Sequence, residues 1–177
     1  MTVAPARLVV LRHAKSAWPD DVPDQERPLA QRGQRDAPAA GRWLRESGYE
    51  PDLVLCSTAL RTRQTWDKAA EQLRGTPLVL FDPRIYAADV DRLLDVLREV
   101  FDQYRSVLLI GHHPGVQDLV LALSSGGDNE GLTRLRTKFP TSAIAVMTQP
   151  GRWADLAPGT ALLTKFAVPR GPVPAGR

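Results

Sequence analysis

Four short apolar runs, at residues 8–11, 53–56, 78–81 and 107–110, recur along the chain with amphipathic stretches between them. Runs of this length, rich in Leu, Val and Ile, suit strands buried on both faces, and the stretches between them carry the helical spacing of covering layers. The pattern predicts helices over 31–47, 60–73, 90–103 and 116–123, with Gly48 and Gly75 as C-terminal caps. Runs at 143–148 and 161–168 read as two further strands about the turn residues Pro150 and Gly151, one of them an antiparallel edge. The expected architecture is α/β: a single-domain, three-layer sandwich with a central, mainly parallel sheet over residues 1–168. The Pro- and Gly-rich segment 169–177 reads as a flexible tail. Segments 17–28 and 124–138 show no regular period and are expected to border a substrate entrance.

Composition narrows the class without naming a function. The 177 residues allow one domain with a sizeable core, and 43% hydrophobic with 24% charged residues is ordinary for a globular protein. The formal charge is only +3, and the cations are interspersed with Asp and Glu, so a nucleic-acid groove is not indicated. Arg134, Arg136 and Lys138 form the one local cluster, either a solvated loop or a reader of an acidic partner. Cys56 is the only cysteine, so no intramolecular disulfide can form. The N-terminus lacks the pattern of a signal peptide and no apolar run approaches a membrane span, which leads us to expect a cytoplasmic protein that does not engage a membrane.

The candidate chemistry sits where three of the runs stop. LVVLRHAKS ends on Arg12 and His13; LVLCSTALRTRQT ends at Cys56 and Ser57 with Arg61 just inside the next helix; SVLLIGHHPG ends on Gly111 and His112. Open α/β folds place their ligands at the carboxyl ends of strands, so the three ends can converge on one anion. A guanidinium offers a planar fork of donors for phosphate, and a neutral imidazole is a good nucleophile near pH 7. Pro114 suits a helix start, and the free amides there would add to anion affinity near His112. Ser16, Ser57 and His113 are candidates for further substrate contacts or are simply capping residues. Trp18 either lines the entrance or packs in the core.

Several enzyme classes fail on spacing. Only four residues separate Cys56 from Arg61, against five in cysteine phosphatases; the histidines lack HExxH spacing; and neither a P-loop nor a GxGxxG fingerprint occurs. Taken together in order, RHAKSAW, RPLAQRG (residues 27–33), STALRTRQT, GHHPG and KFPTSAIAV (residues 138–146) resemble the histidine phosphatase superfamily, and RHAKS resembles its SixA-like phosphohistidine phosphatase branch. The resemblance implies a phosphoglycerate-mutase-like fold. His13 would be the nucleophile, and Arg12, Arg61 and His112 would bind the phosphoryl oxygens, with no metal and no cofactor. It further implies a substrate that is a phosphorylated protein carrying phosphohistidine, or else a small phosphate ester.

The chain departs from the wider superfamily at the general acid. Ala87 and His113 stand where other branches carry acidic residues. An imidazole leaving group, with a free pKa of about 6.5, needs less protonation than an alkoxide, so the missing acid favours phosphohistidine. Asp20, Asp21, Asp89 and Asp118 are the residues that folding would have to bring in to serve a phosphomonoester. A non-catalytic phosphate-binding module is the reading from another class, and a nucleophile at the attack position argues against it.

Overall fold

The computed structural model describes residues 4–176. Its strands are β1 (Ala6–Arg12), β2 (Leu53–Cys56), β3 (Leu78–Phe81), β4 (Ser106–Gly111), β5 (Ser124–Gly127), β6 (Ile144–Gln149) and β7 (Ala161–Ala167). They form one sheet in the order β3-β2-β4-β1-β6-β7-β5. Pairs β3–β2, β2–β4, β4–β1 and β7–β5 are parallel, whereas β6 runs antiparallel to both β1 and β7. The sheet is therefore mixed and mainly parallel, as the alternating apolar runs predict.

Alternate residues of each central strand feed two separate cores. Leu8, Val10, Leu55, Val107 and Leu109 pack under α3 (Val90–Arg98), α4 (Gly115–Leu123) and α5 (Asn129–Thr137). Val9, Leu11, Val54, Leu108 and Ile110 pack under α1 (Gln31–Glu46) and α2 (Leu60–Ala70), against Ala40, Leu44 and Trp66. Helices on both faces make the expected three layers, and they leave the carboxyl ends of β1, β2 and β4 side by side.

Four details differ from the sequence reading. The segment 124–138 is not irregular: it forms β5 and α5. Helices α2 and α3 stop short of residues 73 and 103, so Gly75 lies beyond a turn rather than on a cap, while Gly48, at φ 74°, does follow α1. Pro114 is the N-cap of α4, one place before the helix proper. Finally, the segment read as a flexible tail is tied down at its start, where Arg170 Nη1 and the Gly171 amide bond the buried Asp36 carboxylate on α1 at 3.2 and 2.9 Å. Among the described residues, no helix is long and apolar enough to cross a membrane.

Candidate active site

Arg12 is the last residue of β1, and two segments hold the turn that follows it. On one side the Ser142 amide donates to the carbonyls of Arg12 and His13, and Arg12 Nη1 donates to Phe139 O at 2.8 Å. The KFPTSAIAV stretch is thus the backing of the Arg12-His13 turn. On the other side, the Ala30 amide donates to Lys15 O, and the Ala17 amide to Pro28 O. Gly33 is needed here, because a Cβ on it would meet the Lys15 carbonyl oxygen at 2.1 Å. Helix α2 supplies a third hold: Thr65 Oγ1 accepts from the Ala14 amide and donates to Arg61 O, and Gln64 Oε1 accepts from the Leu29 amide.

The turn fixes the chemistry of His13. Its Nδ1 lies 2.7 Å from the Ala14 carbonyl oxygen, which can only accept, so Nδ1 carries the proton and Nε2 keeps its lone pair. Burial, with further contributions from His112, Arg61 and Arg12, lowers the His13 pKa to about 3 against the pull of the Ala14 carbonyl. The imidazole is therefore neutral at pH 7. His112, on the turn after β4, lies with its ring centroid 5.3 Å from that of His13. Burial and then Arg61 lower its pKa to about 4.

Arg12, His13, Arg61 and His112 line one cleft of about 210 Å³, together with Lys15, Ser16, Trp18, Arg27, His113 and Thr141. Among the described residues no carboxylate lines it. His13, Arg61 and His112 are buried at its floor, while Lys15, Trp18 and His113 stand exposed at its rim. Three buried nitrogens at this floor, Arg12 Nε, Arg61 Nε and His112 Nδ1, have no partner among the described protein residues; the first two are donors, and the third is one when His112 Nε2 accepts from Ser57. Buried donors normally are paired, so the floor is built to surround an acceptor-rich group. Helix α4 opens just beyond His112, adding the partial positive charge of its N-terminus.

The other sequence candidates divide. Ser16 lines the cleft and accepts from Arg27 Nη2 at 2.6 Å, and His113 lines its rim. Ser57 is corrected from a substrate contact: it is 0% exposed, and its Oγ lies 2.7 Å from His112 Nε2, so it orients that ring from behind. Arg63 is exposed, and Arg134 and Lys138 line a different groove beside Phe166. Trp18 is not in the core. Burial pushes the Cys56 thiol up to about 12, which removes it as a nucleophile at neutral pH. Asp20 and Asp21 stand exposed on the loop, while Asp89 and Asp118 line an adjoining cleft that shares His112 and His113.

Sequence reasoning missed Asp24. It sits in a short 3-10 turn, Asp24–Glu26, and holds the far side of Arg61: Nη1 donates to its carbonyl at 2.6 Å and Nη2 to its carboxylate at 3.0 Å. The same carboxylate accepts from Arg27 Nη1 at 2.9 Å and from the Tyr86 hydroxyl. Tyr86 foremost, then Arg27 and Arg61, hold its pKa well below the usual carboxylate range. Asp24 is thus a fixed anion behind the arginine and not a proton donor. Its only signal in the sequence is its place three residues before Arg27, among similar acidic neighbours.

A family model for the histidine phosphatase superfamily (branch 1) matches residues 8–86. An uncharacterized protein of Mycobacterium tuberculosis is 43% identical over 162 residues, which cover 90% of this chain and 100% of the relative. Among solved structures, a protein of Nakamurella multipartitia provisionally named phosphohistidine phosphatase SixA superposes with a TM-score of 0.80 at 32% identity, over 96% of this chain and 99% of the other. The chain belongs to the histidine phosphatase superfamily. Within that superfamily it is SixA-like, and it is a phosphatase. A further structure, the protein histidine phosphatase SixA complexed with tungstate, matches with a TM-score of 0.75 at 27% identity, over 92% of this chain and 97% of the other.

Proposed function

We propose that this histidine phosphatase works without a metal through a covalent phosphate on His13 and that its substrate is phosphohistidine on a protein. The observation that carries the chemistry is the neutral His13, with its Nδ1 proton spent on Ala14 O and its Nε2 free. Nε2 attacks phosphorus, forming a new P–N bond as the bond to the leaving group breaks. Charge spread over the three equatorial oxygens meets Arg12, the Nε face of Arg61, and Nδ1 of His112, whose Nε2 then accepts from Ser57. Water next attacks the phospho-His13, its proton passes to solvent, and phosphate departs with His13 restored.

The substrate class rests on what surrounds that floor. Among the described residues no carboxylate lines the cleft, and Asp24, which sits behind Arg61 and Arg27, is held ionised by its donors. An alkoxide would leave without a proton donor, whereas a phosphohistidine ring that carries a proton on its other nitrogen, for which the free histidine pKa is about 6.5, leaves as neutral imidazole with no acid from the protein. That a similar SixA protein forms a complex with tungstate, an oxyanion, is consistent with a phosphoryl ligand for this chain. A small phosphomonoester is the second reading, favoured by Asp89 and Asp118 beyond His113. Turnover of a phosphohistidine-bearing protein should be compared with a panel of sugar, nucleotide and glycerate phosphates, with chelator present. We expect the phosphohistidine protein to lead by a large factor in kcat/KM. An alkyl phosphate in the lead overturns the substrate class.

A further inference from the structure

The lip of the cleft carries an indole that the catalytic floor does not explain. Trp18 is 75% exposed, although a large aromatic side chain is ordinarily placed where its area is covered. It is held instead by a cation. The Arg27 guanidinium carbon lies 3.2 Å from the indole centroid.

Arg27 is itself immobilised. It is 7% exposed, and its guanidinium donates to Ala17 O at 3.0 Å, to Asp24 Oδ1 at 2.9 Å and to Ser16 Oγ at 2.6 Å. Three oxygens from three residues set the plane of the guanidinium, and that plane sets the plane of the indole. The result is a preorganised flat surface, with one face covered by Arg27, in the same cleft as His13, Arg12 and Arg61. Among the described residues, Trp18 is the one aromatic side chain besides the histidines that lines that cleft.

We infer that Trp18 is a specificity residue that stacks against the imidazole ring of the substrate phosphohistidine while His13 takes the phosphoryl group. The inference rests on the phosphohistidine reading of the site. A planar ring bonded directly to phosphorus lies within one ring's length of the phosphoryl floor, which is where the rim of so small a cleft stands. Offset stacking rewards such a ring and gives nothing to a leaving group without one. Arg27 already occupies one face of the indole, so the other face suits a flat heteroaromatic group better than a second cation.

The test measures kcat/KM of the wild type, Trp18→Leu and Trp18→Phe on three phosphoryl donors: phosphoramidate, which has no ring, free phosphohistidine, and a phosphohistidine-bearing protein. Trp18→Leu keeps bulk and loses the aromatic face. It should fall roughly tenfold on both phosphohistidine donors and less than twofold on phosphoramidate. Trp18→Phe should recover most of the loss. An equal fall on all three donors shows a structural role exercised through Arg27 and overturns the inference. A fall on the protein alone also overturns it, since the contact is then with polypeptide rather than the ring, and an unchanged Trp18→Leu overturns it outright. A wild type that ignores phosphohistidine altogether sinks the substrate reading first, and this inference with it.

Discussion

Two groups of cationic side chains in this protein carry the same charge and are built in opposite ways. Arg12, Arg27 and Arg61 surround the cleft, at least half-buried, with donors fixed on Phe139 O, Ser16, Ala17 O and Asp24. Arg134, Arg136 and Lys138, on or just after α5, stand exposed, and Arg134 lies over the Phe166 ring at 5.3 Å from its centroid. In the first group each guanidinium is largely shielded from solvent and has an orientation set before any anion arrives. In the second, charge is screened by solvent and its direction is free. Electrostatic stabilisation of a transition state follows preorganisation more than the count of positive charges, so only the first group is expected to support catalysis.

The largest effect that tests this contrast is removal of a cleft cation. Arg61→Ala should lower kcat/KM on any phosphoryl donor by roughly 10² or more, because it removes charge-assisted contacts in a water-poor site. A fall below tenfold would place Arg61 on the same footing as the exposed cluster. Next comes the anchor behind it. Asp24→Asn leaves the backbone carbonyl contact to Arg61 but removes the carboxylate shared with Arg27 and Tyr86. We expect a loss of roughly tenfold in kcat/KM, since a positioned guanidinium becomes a mobile one. Steady-state kinetics of Asp24→Asn beside Arg61→Ala should give the smaller loss. A gain in activity would show that Asp24 competes with the substrate instead of aligning Arg61.

Burial makes a comparable prediction about pH. The His13 pKa is lowered to about 3, so its imidazole stays neutral from pH 7 down to about pH 4. An unshifted histidine, at about 6.5, would be roughly 90% protonated at pH 5.5. NMR titration of the His13 ring in the free protein should show no midpoint between pH 5 and 7, and one near 6.5 would contradict the account. The sign for stability runs the same way. The unfolded chain binds protons at His13 and His112 that the folded chain refuses, so stability falls as pH drops from about 6.5 towards the folded values of about 3 and about 4. The smallest effect belongs to the exposed cluster: Arg134→Ala and Lys138→Ala should each change kcat/KM on a small phosphoryl donor less than twofold.

The same contrast explains what was legible in the sequence. Strands β1, β2 and β4 are buried on both faces, so they read as unbroken apolar runs, and the residues that end those runs are the ones the fold gathers. Strand β5 is Ser-Ser-Gly-Gly at the sheet edge and carries no apolar signal, and α5 buries only Gly131, Leu132 and Leu135. A polar edge strand beside a thinly apolar helix is indistinguishable from a loop by periodicity. Within the site, Arg12, His13, Arg61 and His112 stood out because a charged or imidazole side chain at a strand end departs from its surroundings. Asp24 and Tyr86 did not, because each acts through contacts between segments 62 residues apart in sequence. Ser57 was legible as a site residue, but its work of orienting His112 shows only once β2 and β4 lie side by side.

Trapping the covalent phosphate on His13 tests the proposed mechanism most directly. Wild type and His13→Ala should be mixed with a radiolabelled phosphoryl donor and quenched within milliseconds in alkaline denaturant, since a phosphorylated imidazole survives base better than acid. The peptide that carries the label should then be identified. We expect label on the peptide containing His13 in the wild type, none on His13→Ala, and loss of turnover in that variant. Label on any other residue, or turnover that survives undiminished in His13→Ala, would contradict that mechanism.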